Sequence, residues 1–350
     1  MATICLDKLG FRYPGASADT LSDLNLTIAD GEAHALLGAS GAGKTTLLNI
    51  LSGLLAPTSG ALRFDDKDMS QLAGRERNVA QVFQFPVLYE SLSVADNLAF
   101  PLRTRGAPAG LIAERRDHIV SELELRDILE HKPRNLSLFQ KQLVAVGKAL
   151  IRPDVSMVLL DEPLTAVEPK IKWQLRQTLR RVQADLKVTM VYVTHDQTEA
   201  LTFAENVSVL ASGSILQTGT PEQVYAEPLH EFVGHFVGSP GMNFLPAGSL
   251  GVTDAQRVGF RPEWGRIVSA TDSVQRPQGG LQGTLRRLRI EGTQGGRPTG
   301  LVTVETPEGE VAVRGALPDN VPRPGDALQV QVDRCIAYEQ QLMVRTIELV

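Results

Sequence analysis

Two textures divide the chain. Up to about residue 240, short apolar runs without polar alternation are each followed by a longer stretch of helical periodicity: 33–37 then 46–54, 157–160 then 171–186, 188–194 then 198–204. Strands that are apolar throughout, separated by helices, predict a parallel sheet covered on both faces. A further amphipathic helix is expected over 114–130, where Ile119, Leu123 and Ile128 fall near helical spacing. Residues 238–251 (GSPGMNFLPAGSLG) have the glycine, proline and serine density of a linker. Beyond them the period drops to two. Leu328, Val330 and Val332 alternate with Gln329, Gln331 and Asp333; Val302 with Val304 and Val311 with Val313 repeat the pattern, and turns such as Arg323-Pro-Gly-Asp326 intervene. A small all-β domain, barrel or sandwich, is expected there. The expected organisation is 1–237, a linker over 238–256, and 257–350.

Composition narrows the function classes. With 350 residues, 43% hydrophobic and 21% charged, the chain can bury a sizeable core and is neither disordered nor collagenous. A net charge of −5 gives no general field for nucleic acid, and Arg286, Arg287 and Arg289 read as a solvated strand face. Cys5 and Cys335 lie at opposite ends without metal spacing and read as ordinary thiols of a reducing compartment. No apolar run approaches the roughly 18–20 residues of a membrane span, and MATICLDKLGFRYPG does not read as a secretory signal. The expectation is a chain that by itself neither crosses a membrane nor leaves the cell.

The chemistry concentrates in three places. Gly38-Ala-Ser40-Gly41-Ala42-Gly43-Lys44-Thr45-Thr46 matches G-x-x-x-x-G-K-[ST] between a strand and a helix. The glycines let backbone N–H groups close on phosphate oxygens, and the helix beginning near Lys44 turns its positive end to the same anion. Lys44 supplies a compact charge for the β- and γ-phosphates, and Thr45 a hydroxyl for Mg²⁺. The strand ending in Asp161-Glu162 puts two carboxylates at the carboxyl edge of the sheet, where ligands of open α/β folds collect. Asp161 is suited to hold Mg²⁺ through water, Glu162 to polarise an attacking water. His195 closes the strand over 188–194 at the same edge, within expected reach of a γ-phosphate. The remaining histidines show no ligand spacing.

Together these residues resemble the ATP-binding subunits of ABC transporters, essentially over the whole chain. Gln84 in VFQFPVLYESLSVADNL looks like the glutamine that contacts Mg²⁺ ahead of the segment receiving the permease. Tyr13 looks like the aromatic that stacks on adenine, and His195-Asp196-Gln197 like the switch histidine. Arg261-Pro262-Glu263 and the β-rich tail are similar to the OB-type regulatory domain of sugar and glycerol-phosphate importers, and 212–246 to glycerol and glycerol-3-phosphate importers. The resemblance implies an α/β P-loop NTPase fold, with a RecA-like core and helical subdomain, plus an OB-like C-terminal domain. It implies ATP and Mg²⁺, two transmembrane permease subunits, an indirectly acting solute-binding protein, and a peripheral place on the cytoplasmic face of the inner membrane. In such a dimer each ATP lies between one subunit's phosphate loop and the other's signature motif.

The signature itself departs from the family's LSGGQ. Here it reads Leu136-Ser137-Leu138-Phe139-Gln140, and the usual D-loop aspartate is Glu168. Ser137 keeps its expected role toward the opposite subunit's γ-phosphate, but leucine and phenylalanine bring Cβ atoms where a backbone should approach. The expectation is an asymmetric pair with a second, non-identical ATPase. The favoured solute is a small polyol or carbohydrate, glycerol or glycerol 3-phosphate first; other readings are an importer ATPase for maltose-type sugars, polyamines or inorganic anions, a weakly hydrolytic structural partner, or a non-transport ABC ATPase, which would carry tandem cassettes or long coiled-coil insertions. A GTP switch needs Asn-Lys-x-Asp, and no asparagine here precedes lysine.

Overall fold

The computed structural model describes residues 2–165, 168–268 and 279–349. The chain forms two compact units, Met1–Pro221 and Glu222–Val350. In the first, β1 (Ile4–Phe11), β2 (Leu21–Ile28) and β3 (Ala33–Gly38) precede α1 (Lys44–Ser52), β4 (Ser59–Phe64), β5 (Lys67–Asp68), the short α2 (Gly74–Arg77) and β6 (Val79–Val82). Then follow α3 (Val94–Arg103), α4 (Ala109–Glu122), α5 (Leu138–Leu150), β7 (Met157–Asp161), α6 (Pro169–Leu186), β8 (Met190–Thr194), α7 (Gln197–Phe203), β9 (Asn206–Ala211) and β10 (Ser214–Gly219).

The central sheet runs β10-β9-β3-β8-β7-β6. All its neighbours are parallel except β10, which returns antiparallel to β9. Side-chain alternation divides each central strand between two cores. Met157, Leu159, Val191 and Val193 pack toward α1 and the β1–β2–β4 layer, whereas Val158, Leu160, Met190 and Tyr192 pack toward α3, α4, α5 and α6. The expected parallel sheet with both faces covered is therefore present. One face, however, is covered in part by an antiparallel sheet ordered β2-β1-β4-β5 that the helical spacing did not predict. Its signal lies in Leu24, Leu26 and Ile28, which bury every second residue of β2.

The helix expected over 114–130 starts earlier and stops at Glu122. Glu124 takes a left-handed φ of 55°, which no helix continues through. Ile128 falls in a short 3-10 turn, yet Ile119, Leu123 and Ile128 still share the helical-layer core.

The second unit also differs from its expected limits. Residues 238–256 do not form a free linker. They supply β11 (Asn243–Pro246), paired with β12 (Arg257–Phe260), and bury Leu245, Leu250 and Val252. The preceding helices α8 (Pro221–Ala226) and α9 (Glu231–Phe236) are held by Arg261, whose buried guanidinium donates to the carbonyls of Tyr225, Gly234 and Val237 and lies 4.1 Å from the Tyr225 ring centre. After β13 (Gly265–Val268) come β14 (Gly280–Gln294), β15 (Arg297–Thr306), β16 (Gly309–Ala316), β17 (Ala327–Val332), β18 (Arg334–Glu339) and β19 (Leu342–Glu348). They form two antiparallel sheets, β11-β12-β18-β19 and β13-β17-β14-β15-β16, around Val302, Val304, Val311, Val313, Val330 and Val332. Arg286, Arg287 and Arg289 lie exposed on β14. Cys5 and Cys335 are free thiols, the buried one pushed up to about 11 by desolvation. Among the described residues no helix is long and apolar enough to cross a membrane.

Candidate nucleotide site

Strand register gathers the chemistry at one edge. Leu37 pairs with Thr194, Val193 with Asp161, and Leu160 with Val82. The segments leaving β3, β8, β7 and β6 therefore emerge side by side, carrying Gly38–Lys44, His195, Glu162 and Gln84. That is the carboxyl edge where open α/β sheets receive ligands.

Each glycine of the loop meets a different constraint. A Cβ on Gly38 would lie 2.4 Å from the Leu210 carbonyl oxygen of β9. Gly41, at φ +81°, has open space around it, and Gly43, the N-cap of α1 at φ +103°, has Leu21 at 2.6 Å. Lys44 is buried; its ammonium donates to the Gly38 carbonyl at 2.8 Å and the Ala39 carbonyl at 3.0 Å, bridging the loop. Burial lowers its pKa, against the opposing pull of the Glu162 and Asp161 carboxylates. Ser40, Gly41 and Thr45 are exposed, while Ala42 and Thr46 are buried. Tyr13, on the bend after β1, shares a 3.2 Å hydrogen bond between its hydroxyl and that of Thr46, and its ring meets Phe11 edge-on at 4.8 Å.

The far side of α1 is held by a residue the sequence did not single out. Arg77 is 1% exposed, and its guanidinium donates to the carbonyls of Ile50 and Leu51 at the end of α1, and of Leu72 and Ser70. It supplies the positive charge that a helix C-terminus favours. Burial depresses its pKa, with Asp68 opposing.

Asp161 ends β7 half-buried. Desolvation first, and then the Glu162 carboxylate, raise its pKa, while Lys44 opposes them. Glu162 follows at φ +44°, its amide donating to the Val193 carbonyl at 2.9 Å. That backbone turn presents the carboxylate to His195: Glu162 Oε1 lies 2.9 Å from His195 Nδ1, and Thr165 donates to Oε2 at 3.2 Å. Gln84 sits half-buried two residues past β6, and the neighbouring Phe83 carbonyl accepts from the buried Gln142 of α5 at 3.4 Å.

Ser137 stands apart, at the N-cap of α5. It forms a capping box with Gln140: Gln140 N–H to Ser137 Oγ at 3.2 Å, Ser137 N–H to Gln140 Oε1 at 2.9 Å. Phe139 turns into the helical-layer core, whereas Leu138 remains exposed. Glu168 caps α6 through its carbonyl, which receives the amides of Ile171 and Lys172, and its side chain makes no capping bond.

A family model described as ABC transporter matches residues 21–165. The sn-glycerol-3-phosphate import ATP-binding protein of Chromohalobacter salexigens is 42% identical over 291 residues, covering 78% of each chain. The chain belongs to the ABC transporter ATP-binding family. The trehalose import ATP-binding protein of Mycobacterium tuberculosis is 43% identical over 247 residues, 71% of this chain and 62% of that protein. Among solved structures, cbiO1 of Clostridium perfringens, part of an ABC transporter complex, aligns with a TM-score of 0.60 at 27% identity, over 64% of this chain and 90% of that one. A dimeric ATP-binding cassette in a post-hydrolysis state with ADP and Pi aligns with a TM-score of 0.54 at 30% identity, over 62% and 98%. The ABC fold anticipated from the motifs is thus shown, and with it an ATPase coupled to transport.

Sequence reasoning passed over two further residues at this edge, Thr194 and Glu199. Asp196-x-x-Glu199 has the spacing of a capping box. Asp196 does cap α7, accepting from the amides of Thr198 and Glu199, but the Glu199 side chain turns inward instead.

Proposed function

We propose that this chain hydrolyses ATP to drive a solute importer, working peripherally on the cytoplasmic face of the membrane against two transmembrane permease subunits served by a solute-binding protein. The observation carrying the reading is the Glu162–His195 contact of 2.9 Å, beside a buried Lys44 that feels both strand-end carboxylates. Lys44 and the loop amides bind the β- and γ-phosphates, with Tyr13 under the adenine. Glu162 takes the proton of the attacking water, and His195 donates toward the γ-phosphate. Thr45, Gln84 and Asp161 offer hard oxygen donors, a set that suits Mg²⁺, and the ion would neutralise phosphate charge there.

The permease is expected at the segment after Gln84. Phe85, Val87 and Tyr89 are exposed there, next to the exposed Phe83 just before Gln84, and the segment is braced by Asn97 on the Tyr89 backbone and by Lys148 on the Val87 carbonyl and the Tyr89 ring. For the solute, the named specificities of the relatives favour a small polyol or carbohydrate, glycerol 3-phosphate before trehalose. Uptake of each labelled solute by cells with and without Glu162→Gln tests both points. Loss of glycerol 3-phosphate uptake alone supports the assignment, and unchanged uptake of both solutes refutes it.

The exposed Leu138 at the first position of α5 favours pairing with a second ATPase that carries an unaltered signature. Full transport by a homodimer of this chain would refute that pairing.

A further inference from the structure

We propose that Thr194 and Glu199 form a positioning pair that sets the His195 imidazole against Glu162. The inference rests on the reading of His195 given above. The His195 side chain is 49% exposed, so packing does not hold the ring and its direction must come from the backbone. That backbone is clamped on both sides by one hydroxyl. Thr194 Oγ1 accepts the Asp196 amide at 3.0 Å, closing a bend with His195 at its centre, and donates to Glu199 Oε2 at 2.9 Å.

Glu199 is 1% exposed, an expensive place for a carboxylate, since an apolar side chain of similar volume would serve packing as well. Its oxygens are occupied. Oε2 also receives the Tyr192 hydroxyl at 3.1 Å, and Oε1 receives Lys172 Nζ at 3.0 Å. Burial and the Glu199 charge hold the Tyr192 phenol protonated, so it stays a donor. Because the carboxylate only accepts, the Thr194 hydroxyl has to donate to it, which leaves the oxygen lone pair aimed at the Asp196 amide. Lys172 lies in the first turn of α6, the helix following the Asp161-Glu162 strand. The pair thus joins the bend bearing His195 to the element that follows Glu162.

The test puts into the full chain, assembled in the transporter for turnover, Thr194→Val, which keeps the shape and removes the hydroxyl, Thr194→Ser, which keeps the hydroxyl, and Glu199→Gln. His195→Ala is measured beside them and assigns the ring signal. Thr194→Val should lower kcat for ATP about ten- to hundredfold, as displacement of a catalytic group does, with KM within about twofold because the phosphate loop is untouched. Thr194→Ser should restore turnover. In histidine-selective ¹⁵N spectra the hydrogen-bonded Nδ1 signal of His195 should vanish in Thr194→Val and persist in Thr194→Ser, a readout that needs neither turnover nor a partner subunit. Adding Glu199→Gln to Thr194→Val should leave the His195 Nδ1 signal no more disturbed than Thr194→Val alone does, since toward His195 both act through one hydroxyl; the lost Lys172 and Tyr192 contacts should show in stability instead. If His195→Ala is impaired while Thr194→Val keeps wild-type turnover and ring signal, or if Thr194→Ser is as defective as Thr194→Val, the positioning pair is wrong. If His195→Ala hydrolyses ATP like the wild type, the underlying assignment of His195 fails instead.

Discussion

Three glycines of one phosphate loop should fail in three different ways when each is changed to alanine. At Gly38 the obstacle is a neighbouring strand. The new Cβ would stand 2.4 Å from the Leu210 carbonyl oxygen, so β3 must move from β9 by about 0.9 Å to reach an ordinary C···O contact of roughly 3.3 Å. Gly38 and Leu210 are register partners in the parallel sheet, and the displacement strains the centre of the fold. Overpacking of this kind costs about 1–3 kcal/mol, or about 2–12 °C in melting temperature for a unit of this size. At Gly41 nothing lies within 4 Å, but φ is +81°, and an L-residue there costs about 1–2 kcal/mol. A loop can escape that penalty locally by relaxing its backbone, so Gly41→Ala should leave the melting temperature within about 2 °C while weakening ATP binding roughly 5- to 30-fold. Gly43 combines a φ of +103° with Leu21 at 2.6 Å, and should lose both stability and affinity. Differential scanning fluorimetry without nucleotide, paired with titration of a fluorescent ATP analogue, separates the two quantities. A Gly38→Ala protein melting like the wild type, or a Gly41→Ala protein losing more stability than Gly38→Ala, would refute the reasoning.

Other residues make shorter predictions. Arg77→Met should cost about 2–4 kcal/mol, because at least two buried carbonyls lose a charged donor, and urea denaturation should show a lowered midpoint; a change under about 0.5 kcal/mol would contradict the capping role. Asp161→Asn should raise stability at pH 7 while abolishing Mg²⁺-dependent turnover. The folded-state pKa of Asp161 is raised, so its ionised form works against folding above that pKa, and the gain should vanish as pH falls through the folded value toward the unfolded one. Melting curves across pH 3–7 check the sign. Phe139→Gly should lower stability by about 2–5 kcal/mol through a lost core contact, but Leu138→Gly by only about 1 kcal/mol, the helix-propensity difference. If Leu138 is what blocks the signature, Leu138→Gly alone should raise ATP turnover in the assembled transporter, and unchanged turnover would count against it.

The chain by itself determined the ligand class and the kind of fold, because both rest on local relations. A glycine-rich turn between an apolar strand and a helix has few physical uses other than holding phosphate, and Lys44, Thr45, Asp161 and Glu162 are read from spacing within a few residues. The capping of Ser137 by Gln140 is equally local, although the sequence was read there only for a phosphate contact. The domain edge was not, because α8 and α9 join the second unit through partners distant in sequence: Arg261 reaches carbonyls 24 to 36 positions earlier in the chain, and Arg257 pairs with Glu231. Nor was the contact between Glu162 and His195, which needs β7 beside β8 and a left-handed turn at a residue with no local preference for one. Arg77, Thr194 and Glu199 look like surface residues in the sequence, and burial alone distinguishes them. A pattern of residue types can name the chemistry a chain is able to perform. Which carboxylate faces the histidine, and which hydroxyl holds it there, depends on the register between strands distant in sequence, and only the packed sheet decides that.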